Sequence, residues 1–381
     1  MLGLDVFLED MLSQLKGKRI GIVTNHTGLT SDLKHIVDVL YLMHKLDVRV
    51  LFSPEHGIRG DLPPGVEVRD YIDSRTGLPV YSLYSSRREP PYDVLQKLDV
   101  IIYDIQDVGA RFYTYISTLF YVIKAVGMAN KELIVLDRPN PITGSHIEGP
   151  VLDMEFRSFI GIWSIPIRYG LTPGELALYF NDVADLKADI TVVRMRGWKR
   201  DMWYDETGLI WVPPSPNIPT LDSAMLYPGT CLFEGTNISE GRGTTRPFEV
   251  IGAPWIDEYK LLDALSSFKF EGVILRPMTF IPMFSKYSGE VCHGIQIHVV
   301  DRERLEPISL SLYIMNEIRR QNPRKFKWIV RGRRYHFDLL IGRGDVRRAL
   351  DSGEDLDALI KDFHFEAEKF KREASRFFLY E

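Results

Sequence analysis

Short apolar runs alternate with longer helical patterns through the first half of the chain. The runs are rich in valine and isoleucine, and each ends in polar residues. They occupy residues 18–24, 48–52, 100–105, 133–136 and 189–195. Runs that are apolar on both faces are typical of parallel strands covered by helices on either side. With helices predicted over residues 33–45 and 113–126, the pattern predicts a Rossmann-like, doubly wound α/β domain with a mostly parallel sheet.

A further helix start stands at Thr172, where Pro173 suits the first turn and Glu175 completes a capping box. From about residue 254 the order of predicted helices and strands changes to an α+β pattern. The expected elements are a helix, two strands and two helices, over residues 257–268, 273–280, 294–301, 307–320 and 355–378. We therefore expect a Rossmann-like catalytic domain over residues 1–250. A smaller α+β accessory domain over residues 251–381 is expected to close the active-site cleft.

Composition and charge exclude several classes of protein. The 381 residues are 45% hydrophobic and 26% charged, which is typical of a globular protein. The net charge of −5 offers no general attraction to nucleic acid or to an anionic membrane. The basic run 324–334 is followed by the acidic run 351–362, which favours a solvated hairpin over a nucleic-acid surface. We expect neither partner.

The two cysteines, Cys231 and Cys292, lie in no metal or redox spacing and are interpreted as small buried side chains. No stretch approaches the roughly 18 to 20 apolar residues of a membrane span. The amino terminus has acidic residues where a signal peptide needs basic ones. The sequence as written predicts a cytoplasmic protein; a secreted or periplasmic one is expected if the chain has been trimmed.

Polar clusters follow four of the predicted strands. In open α/β sheets, ligands bind at the carboxyl ends of the strands, so these clusters are expected to converge on one crevice. They are residues 24–28 (TNHTG), 53–57 (SPEHG), 104–111 (DIQDVGAR) and 137–141 (DRPNP).

Cofactor motifs are missing from the sequence. The turn after the first strand is not GxGxxG, and no GxxxxGK[ST] occurs. Glu55, His56, Asp104 and Asp107 are metal-ligand types, but HExxH is absent and the nine histidines show no paired spacing. We expect no cofactor and no required metal.

Glu55 is the strongest catalytic candidate. It follows a buried strand and a proline, in a place where partial burial favours a raised pKa and general-acid chemistry. The alternative is a carboxylate that braces its loop through backbone N–H groups.

A second carboxylate has several candidates. They are Asp104, Asp107, Glu234, Glu240 and Glu249. Residues 232–243 are dense in acid, amide and arginine groups, a combination that suits sugar recognition. Four arginines are candidates for binding a substrate carboxylate, with ion pairing to a nearby aspartate as the alternative. They are Arg111, Arg138, Arg242 and Arg246. Tyr113 and Tyr115 are the aromatic residues expected to stack on a sugar.

Long motifs, occurring in order through almost the whole chain, resemble the exo-β-N-acetylmuramidase (NamZ-type) family of glycoside hydrolases, formerly a domain of unknown function. They are SPEHG (53–57), YDIQDVGARFYTY (103–115), LDRPNP (136–141), EGP (148–150), RYGLTPGE (168–175), PSPNIP (214–219), FEGTNISEGRGTTRP (233–247), FSK (284–286), CHGIQ (292–296) and FDLLIG (337–342).

The resemblance implies an exo-acting enzyme that removes N-acetylmuramic acid from the non-reducing end of peptidoglycan fragments, in a cleft between two domains. It places the proposed catalytic glutamate on Glu55. For the second group we expect Glu240, with Asp107 behind it, although the sugar's own acetamido group is an alternative nucleophile. Arg111 or Arg242 is expected to bind the lactyl carboxylate, which distinguishes muramic acid from glucosamine.

The remaining expected substrate-binding residues are polar or aromatic residues of the same motifs. They are Asn25, His56, Tyr113, Tyr115, Arg138, Asn217, Glu234 and Asn237. Two alternatives to the glycosidase stay open. One is a non-catalytic receptor for muramyl sugars, and the other is a metal-assisted hydrolase built on Glu55, His56 and Asp107.

Overall fold

The computed structural model describes residues 1–60, 69–84 and 87–381. Its first unit is built on a seven-stranded sheet in the order β3-β4-β2-β1-β5-β6-β7. All of its pairings are parallel except that of β3 with β4. The strands are β1 (Ile20–Thr24), β2 (Val48–Ser53), β3 (Tyr71–Ile72), β4 (Pro79–Ser82), β5 (Val100–Asp104), β6 (Glu132–Leu136) and β7 (Asp189–Val193).

The central strands are buried on both faces, as their apolar runs predicted. Successive side chains point to opposite sides of a strand, so Ile22 of β1 enters one core while Val23 enters the other. In the same way β5 sends Ile102 to one face and Ile101 to the other. The predicted doubly wound α/β fold is confirmed.

Helices cover both faces of this sheet. They are α1 (Gly3–Asp10), α2 (Tyr92–Leu95), α3 (Tyr115–Ala129) and α4 (Pro173–Val183). Leu4 and Phe7 of α1 belong to one core, and the buried side chains of α3 and α4 belong to the other. The capping box of α4 forms as predicted, with the Thr172 hydroxyl accepting from the Glu175 N–H at 3.2 Å.

The helix expected over residues 33–45 is much shorter in the structure. Leu33 has a φ of 65°, and Lys45 a φ of 55°, so neither adopts a right-handed helical conformation. The regular part is a π-helical segment, Asp38–Met43. Apolar spacing predicted a helix in this segment but not where the backbone turns.

The second unit contains a three-stranded antiparallel sheet in the order β8-β10-β9 and a two-stranded hairpin. Its strands are β8 (Val250–Ala253), β9 (Val273–Phe280), β10 (Cys292–Val299), β11 (Val330–Arg331) and β12 (Arg334–Tyr335). Its helices are α5 (Leu221–Thr230), α6 (Glu258–Leu265), α7 (Pro307–Gln321), α8 (His336–Ile341), α9 (Asp345–Ser352) and α10 (Leu356–Ala374). The hairpin predicted in the basic run is confirmed as β11 and β12.

Helix α5 packs against α7, and β8 pairs with β10. These contacts favour a boundary near residue 220, earlier than the expected one at 250/251. The long α10 starts at its cap, Asp355, whose side chain accepts from the Asp357 N–H at 3.0 Å. Within the described ranges, no helix has both the length and the apolar character needed to cross a bilayer.

Arg111 joins the two units from the interior. Its side chain is fully buried, and burial lowers its pKa to about 9. Nη1 donates to the carbonyls of Pro150 and Ile165 at 2.8 and 2.7 Å, and Nη2 to those of Leu340 and Ile341 at 2.9 and 2.8 Å. Two loops of the first unit are thereby fixed to helix α8 of the second.

We expect Arg111→Met to lower the free energy of unfolding by about 3–5 kcal/mol, because four buried carbonyls lose their donor. Urea unfolding followed by circular dichroism measures this. Arg324→Met, at an exposed arginine, is the matched control and is expected to change stability by under about 0.5 kcal/mol. A loss below about 1 kcal/mol for the Arg111 variant would contradict this role.

Candidate active site

A cavity of about 400 Å³ lies where the loops after β2 and β5 meet the second unit. Residues of the first unit line one side: Glu55, His56, Tyr84, Phe112, Tyr113, Thr114, Ile160 and Ser215. Residues of the second unit line the other: Tyr227, Cys231, Glu234, Arg242, Phe284, Ser285, Arg331, His336 and Leu340. The volume falls in the range of small-molecule sites.

Glu55 enters this cavity from the turn after β2. The next residue, His56, is buried and has a φ of 73°, so the chain turns sharply just after the carboxylate. The Thr114 hydroxyl donates to Glu55 Oε2 at 3.3 Å. Burial and the hydrogen-bonded Glu55 carboxylate both raise the pKa of Tyr84. Glu55 is therefore a partly exposed acid held by two hydroxyl groups, and is not buried inside its own loop.

Glu234 is the second carboxylate of the cavity. It lies in a 3₁₀ turn, Cys231–Gly235, and accepts from Arg242 Nη2 at 2.6 Å and from the Cys231 thiol at 3.5 Å. Burial acts to raise the pKa of Glu234, but the positive charges of Arg242 and Lys286 outweigh it and the pKa lies below its ordinary value. Glu234 is therefore ionised at neutral pH.

Glu240, expected as the catalytic partner, lies behind the cavity and does not line it. It accepts from Lys286 Nζ at 2.8 Å and pairs with Arg242 Nε at 3.4 Å. The same ammonium group donates to the carbonyls of Phe233 and Ile238, both at 2.8 Å. Glu240 thus fixes the loop that carries Glu234 and Arg242.

Asp107 is also placed outside the cavity lining. The Tyr169 hydroxyl and the Gly109 N–H, the latter at 2.8 Å, both donate to its Oδ2. Its other oxygen is buried without a hydrogen-bond partner among the described residues. Burial raises the pKa of Asp107 to about 6.

Two of the predicted carboxylate-binding arginines are used inside the protein. Arg111 is the buried link between the two units. Arg138 forms a buried ion pair with Asp104, with Nε to Oδ1 at 2.5 Å and Nη2 to Oδ2 at 3.0 Å. Neither guanidinium reaches the cavity, so their expected substrate contacts are corrected by the structure. For Arg138 the alternative of an ion pair is confirmed.

Four other predicted binding residues also lie away from the cavity lining. Asn25 accepts from the Thr27 N–H at 2.9 Å and holds its own turn. Tyr115 lies behind Tyr113, with ring centroids 4.8 Å apart, and donates to the Pro214 carbonyl at 2.8 Å. Neither residue is among those that line the cavity.

Asn217 and Asn237 are likewise absent from the cavity lining. Asn217 is buried; its backbone N–H donates to the Ser215 hydroxyl at 3.3 Å, and its side-chain Nδ2 has no hydrogen-bond partner among the described residues. The Asn237 side chain donates to the Lys325 carbonyl and accepts from the Lys327 N–H, at 2.9 and 2.8 Å. Of the predicted residues, the structure gathers five around the cavity: Glu55, His56, Tyr113, Glu234 and Arg242.

Several cavity residues were missed by sequence reasoning. Thr114 stood beside the predicted Tyr113, and Cys231 was interpreted as a buried side chain, which it is. Arg331 and His336 come from the end of the chain and show no motif of their own. The basic run that contains Arg331 indicated a positively charged surface, but its charge alone indicated no particular ligand.

In the ranges that the structure describes, no three histidine, cysteine, aspartate or glutamate side chains lie close enough together to hold one metal ion. The three residues expected to hold a metal in a metal-assisted hydrolase do not share one site, since Glu55 and His56 line the cavity and Asp107 does not. The residues present therefore do not fit that alternative.

The cavity brings two carboxylates and an arginine against aromatic rings in a two-unit α/β protein, which is the make-up of a carbohydrate-active site. Sequence models of the exo-β-N-acetylmuramidase NamZ family match this chain, the N-terminal one over residues 20–222 and the C-terminal one over residues 225–380. The chain belongs to this family, as its motifs predicted.

Individual relatives agree with the family match. The peptidoglycan β-N-acetylmuramidase NamZ of Bacillus subtilis (strain 168) is 45% identical over 378 residues, covering 99% of this chain and 91% of that protein. Crystal structures of two DUF1343 family proteins from Bacteroides fragilis match with TM-scores of 0.92 and 0.80 at 38% and 32% identity. Both matches cover 100% of this chain, with 98% and 99% of the other chains.

We expect Asp107→Asn to gain stability relative to the wild type as pH rises. An asparagine oxygen keeps both hydrogen bonds at Oδ2. The wild-type carboxyl has a pKa of about 6 in the folded protein and about 3.9 when unfolded. Its stabilising contribution is therefore complete below about pH 4 and lost as pH rises through 6. The relative gain approaches about 3 kcal/mol at pH 7.5.

Urea unfolding of both proteins at pH 4.0 and pH 7.5 measures this difference. Asp201→Asn, at an exposed aspartate, is the control, and its effect is expected to be the same at both pH values. A difference that does not change with pH for the Asp107 variant would show that this carboxyl titrates normally.

Proposed function

We propose that this chain is an exo-acting glycoside hydrolase that releases N-acetylmuramic acid from the non-reducing end of peptidoglycan fragments, with Glu55 as its general acid and base. The observation that carries this proposal is the placement of Glu55. It is a carboxylate just after the carboxyl end of a parallel strand, in a cavity shared by both units, and it is hydrogen-bonded to the hydroxyl groups of Thr114 and Tyr84. The curated name of the Bacillus subtilis relative supports the substrate.

In this scheme the glycosidic oxygen takes a proton from Glu55 as the bond to the anomeric carbon breaks. The Thr114 hydroxyl, 3.3 Å from Oε2, and the Tyr84 hydroxyl hold the carboxyl in one orientation. After the aglycone leaves, Glu55 takes a proton from the attacking water. Because the carboxyl group is already oriented, little conformational entropy is lost on reaching the transition state.

Glu234 supplies negative charge for the oxocarbenium-like transition state. It faces the cavity and is ionised, because Arg242 and Lys286 keep its pKa low. Charge fixed in place before the reaction stabilises the developing positive charge without reorganisation. We assign Glu240 a positioning role, since its ion pairs with Arg242 and Lys286 set the loop of Glu234.

Asp107 contributes from behind the cavity wall. Its buried carboxyl orders the loop after β5 through the Gly109 N–H. That loop continues into Arg111, which anchors the second unit, and into Tyr113 and Thr114, which line the cavity. We therefore place Asp107 among the positioning residues and outside the group that touches the sugar.

Glu55→Gln is expected to slow the release of N-acetylmuramic acid by about 100- to 10,000-fold, since the amide cannot transfer the proton. The assay incubates wild type and variant with a muramic-acid-terminated disaccharide and quantifies the free sugar by mass spectrometry. Glu368→Gln, at an exposed glutamate, is the matched control and should keep the wild-type rate.

Three outcomes would overturn parts of this proposal. An unimpaired Glu55→Gln variant would remove Glu55 from the chemistry. Activity that EDTA abolishes and a divalent ion restores would favour the metal-assisted alternative. Binding of the disaccharide by wild type without any release of sugar would favour a receptor.

A further inference from the structure

Two carboxylates, Glu55 and Glu234, line the cavity, so an anionic substrate needs a positive group to offset their repulsion. Arg242 does not supply one, because its guanidinium already faces Glu234 at 2.6 Å and Glu240 at 3.4 Å. Arg331 also lines the cavity. Across the described part of the chain, its side chain makes no ion pair or hydrogen bond, and its charge is available to a ligand.

The hairpin that carries Arg331 is anchored beside Glu234. The Ile329 N–H donates to the Gly235 carbonyl at 2.8 Å, directly next to that carboxylate. Two residues further on, the Asn237 side chain is bonded to the backbone of Lys325 and Lys327. Arg331 is therefore exposed to solvent but held at its base by the same loop that supplies Glu234.

His336 follows the hairpin and provides a second polar group. Its backbone N–H donates to the Ile329 carbonyl at 2.8 Å and closes the hairpin. Its side chain is 4% exposed, and its Nδ1 has no hydrogen-bond partner among the described residues. Burial, with the nearby charge of Arg331, lowers the pKa of His336 to about 4. The ring is therefore neutral at physiological pH and able to donate one hydrogen bond.

Close packing fixes the backbone next to this histidine. A Cβ placed on Gly235 would lie 2.5 Å from Phe337 Cα, so only glycine allows α8 to approach the turn of Glu234 this closely. Buried polar atoms are almost always hydrogen-bonded in folded proteins. Since His336 lines the cavity, its unpartnered ring nitrogen points to a ligand that enters there as the partner.

We propose that Arg331 and His336 bind the lactyl carboxylate of the terminal sugar and select muramic acid over glucosamine. The inference rests on the proposed function, because it assigns a recognition site within the same cavity. N-acetylmuramic acid differs from N-acetylglucosamine by a lactyl ether that ends in a carboxylate. A guanidinium binds such a group in a bidentate, charge-assisted manner, and a neutral imidazole N–H adds a directional hydrogen bond.

Hydrolysis of three 4-nitrophenyl β-glycosides tests this assignment in the full chain. The sugars are N-acetylmuramic acid, its lactyl methyl ester and N-acetylglucosamine. For Arg331→Met we expect kcat/KM to fall about 10- to 100-fold on the acid, the value of a charge-assisted hydrogen bond, and to change under about threefold on the other two. Arg333→Met, an exposed arginine of the same hairpin outside the cavity lining, is the matched control and should behave as wild type.

Two variants of His336, His336→Asn and His336→Phe, separate recognition from folding. The asparagine places an amide N–H near the position of Nδ1, whereas the phenylalanine only fills the space of the ring. We expect His336→Asn to keep most of the preference for the acid over the ester, and His336→Phe to lose several-fold more of it at an equal melting temperature. Equal preferences in the two variants would remove His336 from the site.

Binding measurements distinguish failure of this inference from failure of the proposed function. Calorimetry with free N-acetylmuramic acid and N-acetylglucosamine needs no turnover. Weaker binding of the acid alone by Arg331→Met supports the assignment, even if wild type hydrolyses none of the glycosides and the glycosidase proposal fails. Unchanged binding of the acid, or an equal loss for both sugars, overturns it.

Discussion

The guanidinium of Arg111 is a charged group buried in the interior. Its terminal N–H groups donate hydrogen bonds to four backbone carbonyls, two from each unit of the chain. Its acceptors in the second unit lie on α8, the helix that also presents His336 and Leu340 to the cavity. The part of the cavity wall that α8 contributes is therefore tied to the first unit through this side chain. Each of these carbonyls would be costly to bury unpaired, so the hydrogen bonds of Arg111 constrain how α8 lies against the loops of the first unit.

A second constraint is the balance of charge around Glu234. Arg242 lies between Glu234 and Glu240, and Lys286 binds Glu240 together with two carbonyls of the same loop. Each acidic group in this network has a basic partner, so the loop keeps its shape while one carboxylate stays ionised toward the cavity. In the proposed mechanism this arrangement separates the roles of the two cavity acids. Glu55 has hydroxyl neighbours and moves a proton, whereas Glu234 has a guanidinium neighbour and stays charged.

The proposed recognition residues lie on a different part of the fold from Glu55, although they share the Glu234 loop with the proposed chemistry. Glu55 lies in the turn after β2 of the parallel sheet, whose central strands are buried on both faces. Arg331 and His336 belong to a hairpin and a short helix that rest on the Glu234 loop. That separation is common where loops on a rigid scaffold carry specificity.

The sequence by itself determined five of the seven strands of the first sheet, most of the helix starts and the strand-end position of the candidate acid Glu55, because these follow from local patterns. Apolar runs on both faces, the capping box at Thr172 and the strand-end position of Glu55 all depend on residues within a few positions of one another. It did not determine which charged groups face the ligand. Arg111 and Arg242 were equivalent candidates in the sequence, yet one is buried among carbonyls and the other lines the cavity. Pairing, burial and the approach of residues 331 and 336 to residue 234 join distant parts of the chain, so only the tertiary structure decides them.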